Sequence, residues 1–383
     1  MLRFLTAGES HGPGLVTIVE GVPAGLEVTR EGIGLELARR RLGYGRGARM
    51  KIEQDKLEIM GGIRHGRTLG SPVAVIIRNT EWPRWEEEMS PDPGTPKRPM
   101  TTPRPGHADL VGMLKYDTKD ARNILERASA RETAARTVAG YLAKQILASI
   151  GVTVVSHVVA IGRAISESEQ LPTIDDLPSI DASSVRAFGT EAEAAMVSEI
   201  EWAKADRDTL GGVMEVLVYD LPPGVGSHVH WDRRLDARLS GALMSIQAMK
   251  AVEIGDGLES SRRRGSDAHD HIYYEDREFY RNTDRAGGTE GGMSTGQPLR
   301  VRVAMKPLST VMRPLPTVNV VTKEAEVAFR ERSDVCAVPA AGVVAEQMVA
   351  IVVTQELQRM FGGDTVEDFM VNVTSYRTRL LSF

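Results

Sequence analysis

The chain has 383 residues, of which 42% are hydrophobic and 26% charged, and its formal net charge is −5 at pH 7. This composition is typical of a soluble globular protein, and the negative charge argues against broad nucleic-acid binding. The single cysteine excludes an internal disulfide and indicates a reducing compartment. We find neither a basic N-terminal region followed by an apolar run nor ~18 uninterrupted apolar residues, so we expect a cytoplasmic protein without a signal peptide or membrane span.

The N-terminal quarter predicts strands around one helix. Thr29 has the position of an N-cap for a helix that runs to about Leu42, where Gly43 stops it. The stretch 79–106 is dense in proline and charge and predicts a long loop, and loops of that length are usually functional. The strands predicted in this part of the chain lie at residues 15–20, 51–60 and 71–78.

The middle of the chain predicts two further helices, and the first of them is less polar than the helix after Thr29. Ser129 and Glu132 have the Ser-x-x-Glu spacing of a capping box, which predicts a helix that runs to Ile150. Apolar side chains from Leu235 to Met249 keep helical spacing. The strands predicted here and further on lie at residues 152–161, 212–219 and 299–305.

The last long helix is predicted at 340–361, after a glycine-rich and polar region at 255–297. This helix and the one at 130–150 are apolar around most of their circumference, which is typical of helices buried on both sides. The strands do not alternate regularly with helices, as they would in a doubly wound fold. We therefore predict an α+β fold, a three-layer β/α/β sandwich with a buried helical layer between antiparallel sheets, formed by a single domain over 1–383.

The segment 331–342 indicates a site for an anion. A short amphipathic helix is expected to lead into the apolar one, and the junction places Arg332 two residues before Asp334. Pro339 suits the first turn of the second helix, whose backbone donors and dipole attract negative charge. A carboxylate beside an arginine there is a candidate acid or base. A helix cap with a surface charge pair is the alternative.

The loop 287–296 has five glycines and three hydroxyl residues in ten positions, so its backbone N–H groups can approach a phosphate or a flat ring closely. A flexible surface loop is the alternative interpretation. Two histidines, His11 and His107, lie in Gly/Pro-bounded turns and are candidate proton donors or acceptors, or else structural residues. Two His-x-His pairs have the spacing of metal ligands on a strand, at 228–230 and 269–271, but no third ligand stands in clear register, so we predict no metal site.

Three long segments resemble the signatures of the chorismate synthase family: Gly8–Pro23, Glu126–Thr133 and Arg332–Glu346. Further segments are similar to that family at Arg104–Asp109, Gly287–Gly296 and Lys306–Thr310. The resemblance covers essentially the whole chain, in order. It implies a lyase that converts 5-enolpyruvylshikimate 3-phosphate to chorismate by anti 1,4-elimination of phosphate, in aromatic amino-acid biosynthesis. It also implies a need for reduced FMN without net redox change, and assembly as a homotetramer.

The resemblance assigns roles to individual residues. His11 would protonate the departing phosphate, His107 would tune the protonation of the reduced flavin, and Asp334 would take the proton from the flavin N5 region. The flavin contacts implied are Arg127, Ala128, Ser129, Gln247, Ala248, Gly292, Lys306, Pro307, Leu308, Ser309, Thr310 and Arg332. The substrate contacts implied are Arg40, Arg46, Arg49, Arg104, Arg131 and Arg332.

Some alternatives stay open at the level of sequence. Arg40 and Arg46 could bind either the substrate or a nicotinamide such as NADP. Reduced FMN could come from a separate flavin reductase or from an NADPH-dependent activity of the chain itself. A flavin-dependent oxidoreductase would share the cofactor contacts but consume a reductant. A non-catalytic anion- or nucleotide-binding protein would explain the arginines and glycines, yet it would have no need for His11, His107 and Asp334 together.

Overall fold

The computed structural model describes residues 1–46, 56–168, 170–275, 278–313, 315–329 and 334–383. Helices and antiparallel sheets are mixed along the chain, so the predicted α+β class is confirmed. The strands are β1 (Arg3–Ala7), β2 (Gly14–Glu20), β3 (Lys56–Gly61), β4 (Ile63–Arg64), β5 (Arg67–Thr68), β6 (Val73–Arg78), β7 (Thr153–Ile161), β8 (Ala164–Ile165), β9 (Gly212–Tyr219), β10 (Met249–Ile254), β11 (Ile272–Glu275), β12 (Glu278–Arg281), β13 (Thr289–Glu290), β14 (Met293–Ser294), β15 (Leu299–Met305), β16 (Pro316–Val318) and β17 (Ala325–Val327).

The α-helices of the described residues differ widely in length, and the two longest of the core contain 16 and 24 residues. They are α1 (Arg30–Arg40), α2 (Asp109–Lys115), α3 (Arg122–Ala128), α4 (Thr133–Ala148), α5 (Leu177–Ala182), α6 (Thr190–Ala205), α7 (Leu235–Met244), α8 (Gly257–Ser260), α9 (Gly265–Ala268), α10 (Val338–Phe361) and α11 (Val366–Leu380). Short 3₁₀ turns lie at Trp82–Arg84, Ala130–Glu132, Ile174–Asp176 and Trp231–Arg233.

A four-stranded sheet has the strand order β1-β2-β6-β3, and every neighbouring pair is antiparallel. Alternate residues of β6 are buried, namely Val73, Val75 and Ile77, because successive side chains of a strand point to opposite faces. The strands β1, β2 and β6 contact α4. The apolar face of this sheet therefore belongs to the main core.

A five-stranded antiparallel sheet has the order β10-β15-β9-β7-β8, and its two faces differ. Val154, Met214 and Val301 belong to the core, whereas the other face carries a charged cross-strand set around Glu215. There Glu215 lies 3.0 Å from His157 and 2.7 Å from Arg302, measured from its carboxylate oxygens to their side-chain nitrogens. Of this set, Glu215 and His157 are buried beside Val155 and Leu217, so the second face is covered as well.

The helices α4 and α10 pack directly against each other, and α1 contacts both. They approach closely at Gly140, where an added Cβ atom would lie 2.3 Å from the Cβ of Gln347. The helix α10 also contacts β7 and β9. Within the described part of the chain, α10 is the one helix that is long and apolar enough to cross a membrane, but 94% of its most apolar window is buried inside the protein. Its apolar surface is therefore used in the core.

A buried ionic cluster joins the core helices to the five-stranded sheet. The carboxylate of Glu346 accepts hydrogen bonds from Arg39 at 2.7 Å, Lys144 at 2.6 Å and the Ser156 hydroxyl at 2.7 Å. Burial by itself would raise the pKa of Glu346, but the two cations hold it well below the usual range. Because Arg39 precedes Arg40, this cluster also fixes the end of α1 that carries Arg40.

Two predictions at helix ends are wrong in detail. The helix predicted from the Ser129 capping box begins instead at Thr133, after a 3₁₀ turn, and the Ser129 hydroxyl accepts from the backbone N–H of Arg131. Glu132 does not close the box, because its carboxylate accepts from Arg136 at 2.8 Å and from the Thr6 hydroxyl at 2.7 Å. Tertiary partners have replaced the local one. The Thr29 cap of α1 is confirmed, since its side chain accepts from the Gly32 N–H.

Three further expectations need correction. The helix predicted to reach Met249 ends at Met244, and Met249 begins β10, because residues of the intervening turn are also buried and extend the apolar pattern. The helix that ends at Phe361 is not the last helix, since the 15-residue α11 follows. A strand, β17, lies where a short amphipathic helix was expected before Asp334. The predicted strand 51–60 is seen from residue 56 onward, and residues 51–55 lie outside the described residues.

Candidate active site

One cavity of about 530 Å³ collects side chains from segments far apart in the sequence. The three residues predicted to handle protons, His11, His107 and Asp334, all line it. Ligand cavities commonly measure about 300–1,000 Å³, so it has room for a small molecule. Its cationic lining consists of Arg40, Arg46, Arg104, Arg131 and Lys306, and its apolar lining includes Leu125, Ile246, Ala248, Met305, Leu308, Ala341 and Val344. Cations and apolar surface together suit a ligand that is both anionic and partly flat.

His11 is held by a buried carboxylate from α3. Its Nδ1 atom lies 3.0 Å from each carboxylate oxygen of Glu126, and its backbone N–H donates to Oε2 at 2.8 Å. The Trp85 ring from the long loop 79–106 lies against the imidazole, with 4.1 Å between ring centroids. Arg122 donates to Glu126 at 2.7 Å and lies over the Trp85 ring. Glu126 thus fixes the edge of the His11 ring, and Trp85 fixes its face.

His107 has a similar partner much closer in sequence. Its Nδ1 atom hydrogen bonds to the carboxylate of Asp109, which is fully buried and also accepts from the Arg104 Nε atom at 2.8 Å. Burial raises the pKa of Asp109, but the hydrogen bonds from His107 and Arg104 outweigh it and hold that pKa at about 2. The Nη2 atom of Arg104 lies 3.1 Å from Nδ1 of His107 and 3.4 Å from Nε2.

Asp334 lies just before α10, as predicted, and its carboxylate is paired with Arg46 at 3.2 Å. Pro339 is in the first turn of that helix, which confirms its predicted position. The partner predicted for Asp334, Arg332, lies outside the described residues, as does Arg49. A cationic partner for Asp334 is therefore supplied from the segment that follows α1.

Arg40 and Arg131 reach the cavity as buried side chains. Arg40 donates to the Thr133 hydroxyl at 2.9 Å and to the Ala130 carbonyl at 3.1 Å. Arg131 donates to the side-chain oxygen of Asn79 at 3.2 Å. The Asn79 amide in turn donates to the carbonyls of the loop that carries His11, at 2.7 Å for Gly12. Bidentate guanidinium groups held in this way are suited to carboxylates and phosphates.

The wall predicted to contact flavin is continuous. It is formed by Ala128, Ser129, Gln247, Ala248, Lys306, Leu308, Ser309 and Thr310, all of which line the cavity. The Lys306 ammonium donates to the Gly106 carbonyl at 3.0 Å, and its pKa is lowered by burial and by Lys250. The side-chain Oε1 of Gln247 is buried and has no hydrogen-bond partner among the described residues. An orphaned acceptor beside apolar surface and a cation fits a flat, hydrogen-bonding cofactor with a phosphate.

Three of the described residues in the predicted flavin set do not line this cavity. Arg127 lies at a neighbouring cavity of about 360 Å³ and donates to the carbonyls of Thr6 and Gly8. Pro307 is adjacent to lining residues, but it is not itself part of the lining. Gly292 lies in the β13–β14 hairpin, where its carbonyl accepts from the backbone N–H of Ser227. Their cofactor contacts stay predictions.

Sequence reasoning missed the residues that hold the histidines. Glu126 and Asp109 both stand in quoted signatures, but neither was given a role. For Asp109, its position two residues after His107 was a usable signal. The pairing of Glu126 with His11 joins residues 115 positions apart, and Asn79 and Trp85 reach the site from the long loop, so no local pattern could identify them.

The His-x-His pairs do not form a metal centre in the described part of the chain. No group of three or more His, Cys, Asp or Glu side chains suited to a metal ion occurs there. His230 is exposed and hydrogen bonds to Asp232 at 2.8 Å instead. The structure therefore gives the metal alternative no support.

Comparisons with known proteins identify one family. The family model for chorismate synthase matches residues 2–357. A chorismate synthase of Nocardia farcinica (strain IFM 10152) is 59% identical over 389 residues, which cover 99% of this chain and 96% of that relative. Another, from Acidothermus cellulolyticus (strain ATCC 43068 / DSM 8971 / 11B), is 59% identical and covers 100% of both chains. A crystal structure of chorismate synthase superposes with a TM-score of 0.81 at 40% identity, over 100% of this chain and 99% of the other. The chain therefore belongs to the chorismate synthase family.

Proposed function

We propose that this cavity catalyses the anti 1,4-elimination of phosphate from 5-enolpyruvylshikimate 3-phosphate to give chorismate. Family membership makes the chain a carbon–oxygen lyase that acts on phosphates, in the biosynthesis of aromatic amino acids. The observation that carries the assignment to this cavity is that one space brings together His11, His107 and Asp334 with four arginines. An anion-binding protein without catalytic activity would need the arginines alone.

The substrate is bound by the cationic part of the lining. It carries one phosphate and two carboxylates, and Arg40, Arg46, Arg104 and Arg131 present guanidinium groups to the cavity. Planar guanidinium groups bind such oxyanions bidentately and orient them, which a flexible ammonium group cannot do. Orientation matters because the two bonds that break in a 1,4-elimination must be aligned with the ring double bond. Arg49 and Arg332 stay proposed members of this set.

Reduced FMN is the proposed cofactor, held by the wall that contains Ser129, Gln247 and Lys306. Gln247 would use its orphaned Oε1 to accept a hydrogen bond from the cofactor, and Lys306 would supply positive charge. When bound, the reduced flavin supplies the electron density that weakens the allylic carbon–oxygen bond, and recovers it, so that no reductant is consumed overall. A separate flavin reductase, or an NADPH-dependent activity of the chain itself, would provide the reduced form.

The three proton-handling residues have different roles. His11 is the acid that donates a proton to an oxygen of the departing phosphate, which leaves as hydrogen phosphate. Asp334, paired with Arg46, is the base that accepts the proton released on the other side of the reaction. His107 is held by Asp109 and Arg104 and sets the protonation of the reduced cofactor beside it.

The architecture proposed for the whole chain is a single domain over residues 1–383 built as a three-layer β/α/β sandwich. Contacts of α4 with the four-stranded sheet, of α10 with the five-stranded sheet, and of the two helices with each other support it. We further propose a cytoplasmic homotetramer, on family grounds.

The proposed function is tested by an anaerobic assay with 5-enolpyruvylshikimate 3-phosphate and chemically reduced FMN, followed by the absorbance of chorismate. We expect product only when reduced FMN is present, and no effect of a chelator. Loss of activity on treatment with a chelator, restored by zinc, would overturn the flavin proposal and revive the paired histidines at 228–230 and 269–271. Absence of product with reduced FMN and full-length protein would overturn the function itself.

A further inference from the structure

Glu126 is placed to control the state of His11. Both of its carboxylate oxygens lie 3.0 Å from the His11 Nδ1 atom, and Oε2 also accepts from the His11 backbone N–H at 2.8 Å. Its side chain is only 2% exposed. The backbone carbonyl of Glu126 also accepts from the Ser10 N–H at 3.1 Å. One residue therefore holds the loop of His11 through backbone and side chain together.

The carboxylate of Glu126 is an acceptor. Burial by itself would raise its pKa, but the hydrogen bonds from His11 and the charge of Arg122 lower that pKa below its ordinary value. An ionised carboxylate has no proton to donate, so the hydrogen between the two groups belongs to Nδ1. In the neutral imidazole this makes Nε2 the unprotonated nitrogen, and in the imidazolium it makes Nε2–H the proton that the ring can release.

The ring is also held against rotation. Trp85 covers one face of the imidazole, with 4.1 Å between the centroids and 38° between the planes. The Arg122 guanidinium lies 4.8 Å from the Trp85 ring centroid and donates to Glu126, so the same arginine supports both of the groups that touch His11. A flip of the ring would break its hydrogen bonds to Glu126. The position of each ring nitrogen is thereby determined.

We propose that Glu126 is a positioning residue that keeps the proton of His11 on Nδ1 and so commits Nε2 to the transfer of a proton to the departing phosphate. In that step the carbon–oxygen bond of the substrate breaks with its electron pair on oxygen, the proton leaves Nε2 for a phosphate oxygen, and His11 becomes neutral. Solvent returns the proton before the next turnover. This inference rests on the proposed function and on the acid role of His11 within it.

The charged groups around this pair come from several elements. Glu126 and Arg122 belong to α3 and touch the pair directly. The cavity side holds Arg40 from α1, Arg131 from the 3₁₀ turn before α4, and Asp334 next to α10. Further cavity groups with charge or a titratable ring are Arg46, Arg104, His107 and Lys306. Among these groups, the carboxylate of Glu126 is the negative charge that hydrogen bonds to the His11 ring.

A double-mutant cycle tests the inference. Glu126→Gln keeps the shape of the side chain but removes its charge, and the loss of such a supporting group typically costs about 10- to 100-fold in activity. We expect kcat to fall by that factor while the affinity for reduced FMN stays close to that of the parent. His11→Ala should be slower still, and Glu126→Gln should cost nothing more in that background. Multiplicative losses in the double variant would overturn the inference, because Glu126 would then act independently of His11.

A further variant, His11→Asn, keeps the test decisive if Glu126→Gln folds poorly. His11→Asn places an amide donor near the Nδ1 position, so Glu126 keeps its hydrogen bond, but no group remains at Nε2. We expect its turnover to be as low as that of His11→Ala, with parent-like thermal unfolding, and turnover near that of the parent would overturn the inference. As a matched cycle, Glu126→Gln combined with His107→Ala should give multiplicative losses. Product formation by the parent in the same assay separates failure of this inference from failure of the proposed function.

Discussion

His11 and His107 lie in the same cavity, and each presents Nδ1 to a buried carboxylate that also binds an arginine. The difference lies in where that arginine is. On the His11 side, Arg122 donates to Glu126 and lies over the Trp85 ring, so it contacts both of the groups that hold the imidazole. This arrangement fixes the ring through its partners.

On the His107 side the arginine touches the histidine ring itself. Arg104 Nη2 lies 3.1 Å and 3.4 Å from the two ring nitrogens of His107 while it shares the carboxylate of Asp109. The arginine of this pair therefore contacts the imidazole directly. The comparison teaches that a histidine–carboxylate pair alone does not define a role. The two pairs differ in where the third, cationic member binds.

The largest expected fall in turnover comes from a substitution at Asp334, which belongs to neither histidine pair. Asp334→Asn keeps the size of the side chain and removes the proposed base, so we expect turnover to fall by ~10²–10⁴-fold with the affinities for flavin and substrate nearly retained. The measurement is kcat at saturating reduced FMN. Asp232→Asn, at an exposed carboxylate paired with His230, is the matched control and should turn over normally. Normal turnover of Asp334→Asn would contradict the role of Asp334 as the base. The segment would then be interpreted as a helix cap with a surface charge pair.

The two histidines should separate under alanine substitution. His107→Ala is expected to slow turnover by about 10²-fold with substrate binding close to that of the parent, since its ring acts beside the cofactor. His11→Ala is expected to damage both turnover and substrate binding, because it also faces the phosphate. Steady-state kcat and KM for the substrate distinguish the two outcomes. Equal KM values in both variants would contradict the division of roles.

Asp109 should give the protein a dependence of stability on acid. Its pKa in the folded protein, about 2, lies below the ordinary value of 3.8, so it stabilises the fold fully above pH ~4, and this contribution is lost as the pH falls toward 2. The loss is about 2 kcal/mol, at 1.36 kcal/mol for each pKa unit. Thermal unfolding of the parent and of Asp109→Asn between pH 2 and 6 measures it. A variant whose stability depends on acid as strongly as that of the parent would exclude Asp109 as the source.

The smallest effect is expected where charge is conserved. Replacing Arg46 or Arg131 with lysine keeps the charge but removes the planar fork, so substrate affinity should weaken about tenfold through the loss of one charge-assisted hydrogen bond. Arg262→Lys, at an exposed pair with Glu259, is the control. Titration of substrate under anaerobic conditions measures the affinity. Parent-like affinity in both Arg46→Lys and Arg131→Lys would show that these residues do not hold the anionic groups.

Local patterns in the sequence predicted much of the secondary structure. The predicted strands at 212–219 and 299–305 have the bounds of β9 and β15, and β15 shows the period-two burial that makes a strand a local signal. The helix α11 was not predicted, and only Phe369 and Val373 of its residues are buried. Apolar residues that are buried from a turn, such as Ile246, extended the pattern of α7 beyond its real end.

The site was predictable only where a motif carries it. The resemblance pointed to His11, His107 and Asp334, and the structure places all three at one cavity. The partners of these residues depend on tertiary contacts between distant segments. The pairing of Glu126 with His11 and of Arg46 with Asp334 are both of this kind, and neither leaves a trace in local periodicity or spacing.

The central claim is that this cavity performs an elimination for which the reduced cofactor is needed but not consumed. The most direct measurement is the ratio of chorismate formed to reduced FMN oxidised, recorded anaerobically by the absorbance of both species with the full-length protein and excess 5-enolpyruvylshikimate 3-phosphate. The account predicts many molecules of chorismate for each flavin, with the flavin still reduced at the end. Oxidation of one reduced FMN for each product molecule would contradict the account and identify a flavin-dependent oxidoreductase.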